Sequence, residues 1–592
     1  MSQKLRTLQQ EGGRRGGCRR VGCSLSGRAA VATRRTKSTA GVCALVAVLV
    51  GSLGLAQPVS AQPLIIVITD LGTLGGDTAA VGISDGGHVA GFGETPSGIH
   101  AFFVSPLDTN ADGVPDTWFQ DLDGNGANDL MVDLGTLGGD LSYVGPFPSG
   151  VTGLGICLAS CLPGGRPVTH KAVNGAGEVV GTSDTLPGPG DQFHAFFIDG
   201  ANIPPGVTVL SPGVMEDIHP GGFGATWSTA VGINSLGWII GYSDVGGFLW
   251  KEGTWTFLGD FIPMALNDLD PPILAGILLS TGAPARWAGG IAISLPTAGL
   301  SAPPASLIAS PFPGVEPVTA PTVTDINNLG WIVGTLSNRP VLWKPCLVCF
   351  PVPYEAIAID TSGFFGFDVD GIAVDVNDAG QVVGNLVAGT QVFRWENGIA
   401  ELGVMGHAAN AVGVNDLGQI VVNLQNNAIS FLGPLLWLEN GEIELGDLLR
   451  PGGTQCCFSG GGGVAFARAI NNREQVVGAS QFALGVWGFH AALWTILTPS
   501  AAASQLATKV GGLQAAGAIS PGQATALEAK ANAAGAILGD ANLGNDIAAC
   551  RLLKAFINQV EALQNAGILT TDQANSLVAD AMNIMNAVPC PA

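Results

Sequence analysis

The sequence predicts a mainly β protein, a β-propeller of seven or eight blades carrying a small C-terminal α-helical domain. Three observations carry that prediction. An Asn-rich turn flanked by apolar runs recurs eight times between residues 82 and 478. A second phrase, with an aromatic residue at a repeated place, follows most copies. After Pro499 the glycine and aromatic pattern gives way to Ala, Leu and Gln at helical spacing.

The chain opens on different material. Lys4, Arg6, Arg14, Arg15, Arg19, Arg20, Arg28, Arg34, Arg35 and Lys37 precede an apolar run, AGVCALVAVLVGSLGLA (40–56), and a small-x-small motif ends at Ala61. Basic, apolar and cleavage regions in that order read as a signal peptide over residues 1–61. The apolar run is shorter than the roughly 20 residues of a membrane-spanning helix. A secreted or cell-surface protein with no membrane span after cleavage is expected. Removal of residues 1–61 takes ten of the 24 basic residues and one of the 46 acidic ones, leaving 14 against 45 and a net charge of −31. Such a surface repels nucleic acid and anionic lipid and attracts divalent cations, so nucleic-acid binding is excluded.

Eight cysteines follow the leader, as Cys157 and Cys161, Cys346 and Cys349, Cys456 and Cys457, and Cys550 and Cys590. An even count in an exported chain predicts disulfides. The Cys346–Cys349 spacing also suits thiol redox or zinc chemistry, but its loop is flanked by proline and no helix pattern follows, so local staples are the reading taken.

The eight turn phrases are GISDGGHVAG (82–91), AVNGAGEVVG (172–181), GINSLGWIIG (232–241), ALNDLDPPILAG (265–276), DINNLGWIVG (325–334), DVNDAGQVVG (375–384), GVNDLGQIVV (413–422) and AINNREQVVG (469–478). Each reads as two apolar strands around a tight Asn/Asp/Gly turn that needs positive φ. HAFFVS (100–105), HAFFID (194–199), GFLWKEG (247–253), PVLWKP (340–345), VFRWENG (392–398), PLLWLENG (434–441) and HAALW (490–494) supply a third strand. DLGTLGG (70–76 and 133–139), VLSPG (209–213), FLGD (257–260), ELGVMG (401–406) and ELGDLL (444–449) supply a fourth. One such unit cannot bury both faces alone. Arranged in a ring, neighbours cover each other and no sheet edge is left bare. A solenoid or an open array of β-sandwiches is the alternative. The propeller is expected over residues 62–498.

These phrases together resemble the bacterial HAF extracellular repeat family, named for a His-Ala-Phe triplet, over most of residues 64–498. The triplet is intact at His100-Ala101-Phe102 and His194-Ala195-Phe196, and partial at His490-Ala491-Ala492. The resemblance implies a secreted repeat protein and no particular reaction. In the tail, residues 499–592, LQAAGAISPGQATAL (513–527) and LQNAGILTTDQANSL (563–577) are a duplication. Each copy reads as a helix ending at Ala-Gly, a turn, and a Ser- or Thr-capped helix start. With LLKAFINQVEAL before it, the second copy resembles the FIMAH-type helical module of secreted bacterial proteins, which implies attachment or interaction. A Cys550–Cys590 bridge would close that bundle.

The sharpest chemical motif is DTNADGVPDTWFQDLDGNGAND (108–129), inside an expected insertion at 107–130. Asp108, Asn110, Asp112, Gly113 and Asp116 stand at positions 1, 3, 5, 6 and 9 of one loop, and Asp121, Asp123, Asn125, Gly126 and Asp129 repeat the spacing. Short carboxylates on alternate residues of a tight loop converge on one calcium ion, and the position-7 carbonyls of Val114 and Ala127 would add ligands. Position 12 is Phe119 or Val132, not Glu, so the loops are not EF-hands. They resemble the calcium loops of thrombospondin type-3 and dockerin-like repeats. Structural Ca2+ is the expected cofactor.

The remaining candidates are weaker. His100, His194 and His490 hold equivalent repeat positions, so a ring places them in different blades as hydrogen-bonding residues. Glu216, Asp217 and His219 form a loop cluster of no known spacing. The LGTLGG glycines lack the Lys-Ser/Thr of a phosphate cradle. No serine elbow stands out. The resulting expectation is a non-catalytic secreted protein whose propeller presents a binding surface to an extracellular protein or polysaccharide. A secreted glycosidase or lyase on the same scaffold is the alternative.

Overall fold

In the computed structural model, the described residues run from 64 to 590. Outside them lie 1–63, 110–112, 122–123, 146–170, 187–191, 205, 212, 298–321, 347, 350–351, 361–369, 387–390, 404–407, 426–430, 440, 447, 449–463, 483–487, 541–545, 589 and 591–592. All of those described belong to one compact unit, Gln62–Ala592.

Eight four-stranded antiparallel sheets form an eight-bladed propeller. Blade 1 takes its strands from Thr78–Ile83, Val89–Thr95, Gly98–Val104 and Met131–Gly135. Blades 2 to 7 begin at Ser142, Ser228, Phe261, Thr322, Gly371 and Ala408 and follow in chain order. Blade 8 holds Ala465–Ile470, Gln475–Gln481 and Phe489–Leu497, and its outermost strand is the first of the chain, Ile65–Gly72. The ring is therefore closed by pairing the two ends of the repeat region. The first DLGTLGG phrase ends the last blade, while the second ends blade 1.

Each turn phrase joins the innermost strand of a blade to the next one out. In seven blades the innermost strand carries a register shift three residues before the turn Asn or Ser. Such bulges sharpen the local twist, which suits strands converging on one axis. The glycine that ends the phrase pairs directly with the aromatic of the third strand, as in Gly91–Phe102, Gly181–Phe196, Gly241–Phe248 and Gly384–Phe393. A Cβ at Gly91 would stand 2.2 Å from the Ala79 carbonyl oxygen and 2.6 Å from the Phe102 ring. The ring lies over the bare glycine backbone and fills the space a side chain would take. Phe102, Phe196, Phe248 and Phe393 are all fully buried. The aromatic of the recurring triplet is a packing device.

One fourth strand differs from the sequence reading. VLSPG does not form it in blade 2; Glu216–Asp217 does, paired with Phe197 and Phe196. Leu210 of VLSPG instead inserts into the core shared by blades 1 to 3.

The tail forms four helices, α1 (Pro499–Ala515), α2 (Pro521–Leu538), α3 (Asp546–Asn565) and α4 (Thr571–Ala587). Ser520 and Thr570 cap α2 and α4, each completed by a Gln three residues on. Gly517 and Gly567 take positive φ after α1 and α3. Ile65 and Leu497 of blade 8 share the helical core, so the bundle packs on the closing blade. Cys550 and Cys590 form a disulfide across it.

Candidate functional site: the axial face and central bore

The turn residue Asn is buried in seven blades, and its side chain does three things at once. In blade 5, Asn327 Oδ1 accepts from Leu329 N and Trp331 N, while its Nδ2 donates to the Asn377 carbonyl of the next blade at 2.8 Å. The same donation runs from Asn174 to Asn234, Asn234 to Asn267, Asn267 to Asn327, Asn377 to Asn415, Asn415 to Asn471, and Asn471 to Ser84. Only a short primary amide both satisfies the turn and reaches its neighbour. Blade 1 has Ser84 here, which lacks that donor, so the circle has seven links and a gap toward blade 2. There the two turns approach closely, and a Cβ at Gly86 would lie 2.6 Å from the Gly175 carbonyl oxygen.

One residue further along the turns, a second circle faces solvent. Ser235 N donates to Asp268, Asp268 N to Asn328, Asn328 N to Asp378, Asp378 N to Asp416, Asp416 N to Asn472, and Asn472 N to Asp85, all at 2.7–2.8 Å. Carboxylates of Asp85, Asp268, Asp378 and Asp416 are thereby held around the mouth of the bore. The following residue is Leu in four blades, and Leu236, Leu269, Leu329 and Leu417 are 44%, 42%, 55% and 61% exposed. Large apolar side chains repeated at exposed turn tips are not explained by folding.

The insertion of blade 1 lies on this same face. Trp118 Nε1 donates to the Gly87 carbonyl of the blade 1 turn, and buried Asn128 donates to the Leu71 and Trp118 carbonyls. Within the expected calcium loops, Asp108 accepts from Gly113 N at 2.7 Å and Asp121 accepts from Gly126 N at 2.9 Å, the same position-1 to position-6 bond in both. Gly113 and Gly126 take positive φ. Asp116 is engaged by Thr109 and Thr117. Asn125 Oδ1 accepts from Ala127 N, and Asp129 N donates to the Gln120 carbonyl. Val114 is an exposed loop residue. Asn110, Asp112 and Asp123 lie outside the described residues. Among the described residues no group of three or more His, Cys, Asp or Glu side chains is gathered as a metal site.

The bore itself carries charge. Lys171 of blade 2 reaches Asp325 of blade 5, three blades on, at 2.9 Å, and also donates to the Ile326 carbonyl. Asp325 is hydrogen-bonded to Asp375 of blade 6. Asp375 also accepts from Val376 N and Val414 N. Burial, and the adjacent Asp325 charge, hold the Asp375 carboxyl well above the usual carboxylate range. Burial lowers the Lys171 ammonium, yet Asp325 outweighs it and the net shift is upward. Two carboxyls in direct contact suit neither glycosidase geometry, since those pairs stand roughly 5–10 Å apart.

The repeat histidines lie in three blades, each bonded to an outer-strand carboxylate of its own blade: His100 to Asp133, His194 to Asp217, and His490 to Asp70. In DLG, the Asp also accepts from the Gly two residues on, as Asp70 from Gly72 and Asp133 from Gly135. The repeated LGTLGG phrase is therefore the hinge between one outer strand and the next blade. Glu216 and Asp217 do not stand in a loop but form the short outer strand of blade 2, and Asp217 is exposed. It is the blade 2 equivalent of Asp70 and Asp133, a role signalled by the likeness of MEDI (215–218) to MVDL (131–134). His219 stacks on His194 with ring centroids 3.8 Å apart.

Cys346 and Cys349 form a disulfide in the loop closing blade 5. Cys157, Cys161, Cys456 and Cys457 lie outside the described residues. Among the described residues no helix is long and apolar enough to cross a membrane.

No family model matches the chain, and no curated protein matches it. Solved structures similar to it include two of one protein. "YCF48 bound to D1 peptide" is 13% identical with a TM-score of 0.23, covering 45% of this chain and 77% of that one. "YCF48 from Cyanidioschyzon merolae" is 11% identical with a TM-score of 0.20, covering 44% of this chain and 90% of that one. At those scores neither bears on function.

Proposed function

We propose that this is an exported, non-catalytic binding propeller of the HAF-repeat type. Its axial face docks a protein segment that presents Lys or Arg among apolar side chains. The observation that carries the reading is the pairing of features on that face: exposed Leu tips beside a circle of fixed carboxylates. The carboxylates are positioned by neighbouring backbone N–H groups, so a cationic partner meets a preorganised site. Two disulfides support an oxidising environment. Calcium in the 108–129 loops would stiffen an insertion pinned to the same face. The matched Asp108–Gly113 and Asp121–Gly126 bonds support that role.

A random peptide library panned against the protein tests the docking face. Enriched peptides should combine basic and apolar residues and lose at least tenfold in affinity against L329S/L417S and against D378N/D416N. Equal binding to those variants refutes the face. Turnover of a polysaccharide abolished by one carboxylate change refutes the non-catalytic reading. For calcium, millimolar Ca2+ should protect residues 108–129 from proteolysis in the wild type and not in D108A/D121A; equal cleavage with Ca2+ or chelator removes the ion from the account.

A further inference from the structure

Arg468 occupies the bulged position of the innermost strand of blade 8. The same place in the repeat is held by Lys171, Met264, Val374 and Val412. These five keep partial exposure, whereas Val81, Val231 and Thr324, which hold the place in the other three blades, are buried. Lys171 reaches from this place across the bore to blade 5, so the partly exposed members border the bore. Two of the eight places carry a cation, Lys171 and Arg468.

The two cations differ in their surroundings. Lys171 has Asp325. Among the described residues no carboxylate pairs with Arg468, whose Nε is buried without a hydrogen-bond partner. Its guanidinium lies over the Phe466 ring, 5.0 Å from the centroid. Protein surrounds the side chain closely enough that burial brings its pKa down to about 10, which leaves it charged at neutral pH. Among the described residues the cations Lys171 and Arg468 stand with the carboxyls Asp325 and Asp375, and burial, with the adjacent Asp325 charge, disfavours ionisation of Asp375. An enclosed charge without a partner is costly, and a polar counter-group relieves that cost. The planar guanidinium fork matches the two oxygens of a carboxylate or phosphate.

We propose that Arg468 is the receptor for a small oxyanion, a carboxylate or phosphate group, inside the central bore. The site stands apart from the axial-face reading and does not depend on it.

The test exchanges sodium acetate, or sodium phosphate, for the bulky sulfonate of HEPES at constant ionic strength. The thermal midpoint is followed for wild type, R468M and R468K, and the line width of 13C-labelled acetate reports binding directly. The expected result is a saturable rise in midpoint and a broadened acetate line for wild type, as a ligand specific to the folded state requires. R468M should lose both, and its midpoint in HEPES should equal or exceed that of wild type. R468K, which keeps the charge but not the fork, should bind about tenfold more weakly, and it decides the matter if R468M does not fold. The larger response of acetate or of phosphate names the preferred oxyanion. No response in wild type, or an equal response in R468M, overturns the proposal.

Discussion

Replacing Asn327 by Ala probes the circle that joins the blades. Asn327 is 4% exposed. The substitution removes three hydrogen bonds: two that accept Leu329 N and Trp331 N, at 3.0 and 2.9 Å, and one that donates to the Asn377 carbonyl at 2.8 Å. At about 1 kcal/mol for each net bond the loss is about 3 kcal/mol. The two stranded turn N–H groups are only partly shielded from water, which keeps the total from rising far above that figure. The converse change, S84N, supplies the missing eighth donor and should add about 1 kcal/mol. Urea unfolding followed by tryptophan fluorescence measures both, with L329A as the exposed-tip control. A cost for N327A no larger than that of L329A would show that the amides do not join the blades.

Three further outcomes follow from the bore, the buried imidazoles and the staples. D375N should be neutral or stabilising at pH 7 because it removes a carboxyl whose charged form burial and the adjacent Asp325 disfavour, whereas D325N strips Lys171 of its partner and should cost about 2 kcal/mol, less than a fully buried pair because Lys171 keeps some exposure; matched urea curves decide. Burial lowers the pKa of His88, and burial with the neighbouring His194 lowers that of His219, so the unfolded chain binds more protons. Their contribution is complete above about pH 6.5 and is lost as pH falls toward the depressed native values. H88F/H219Q should flatten the fall in stability between pH 7 and 5; an unchanged slope would exclude these two groups. Removing the Cys550–Cys590 bridge, with its 40-residue separation, should cost about 4 kcal/mol. Removing Cys346–Cys349, separated by three, should cost about half that by the same loop entropy.

The repeated Asn turns are plain in the sequence because hairpin chemistry is local, and they give the blade count within one. What each Asn does across the blade boundary is not visible there, since Nδ2 of Asn471 finds Ser84 only after the ring has closed. The pairing of His490 with Asp70 is hidden for the same reason, the two being 420 residues apart. VLSPG was a plausible outer strand on local pattern, but the tertiary core took Leu210 and left Glu216–Asp217 to pair. The bore residues did leave a trace. Four of the eight phrases begin with apolar or small residues only, and the other four read K-A-V-N, T-D-I-N, V-D-V-N and R-A-I-N. A charge at either of two positions, one otherwise filled by Val, Met or Thr and the next by Gly or Ala, marks a departure from packing. Lys171, Asp325, Asp375 and Arg468 are those departures.

The strand Ile65–Gly72 meets its partner Phe489–Leu497 only after more than four hundred intervening residues have been made. Until then the growing chain is an arc with two raw margins, each able to recruit strands from other molecules. An early stop anywhere before residue 489 would leave Ile65–Gly72 without its partner strand and the ring open.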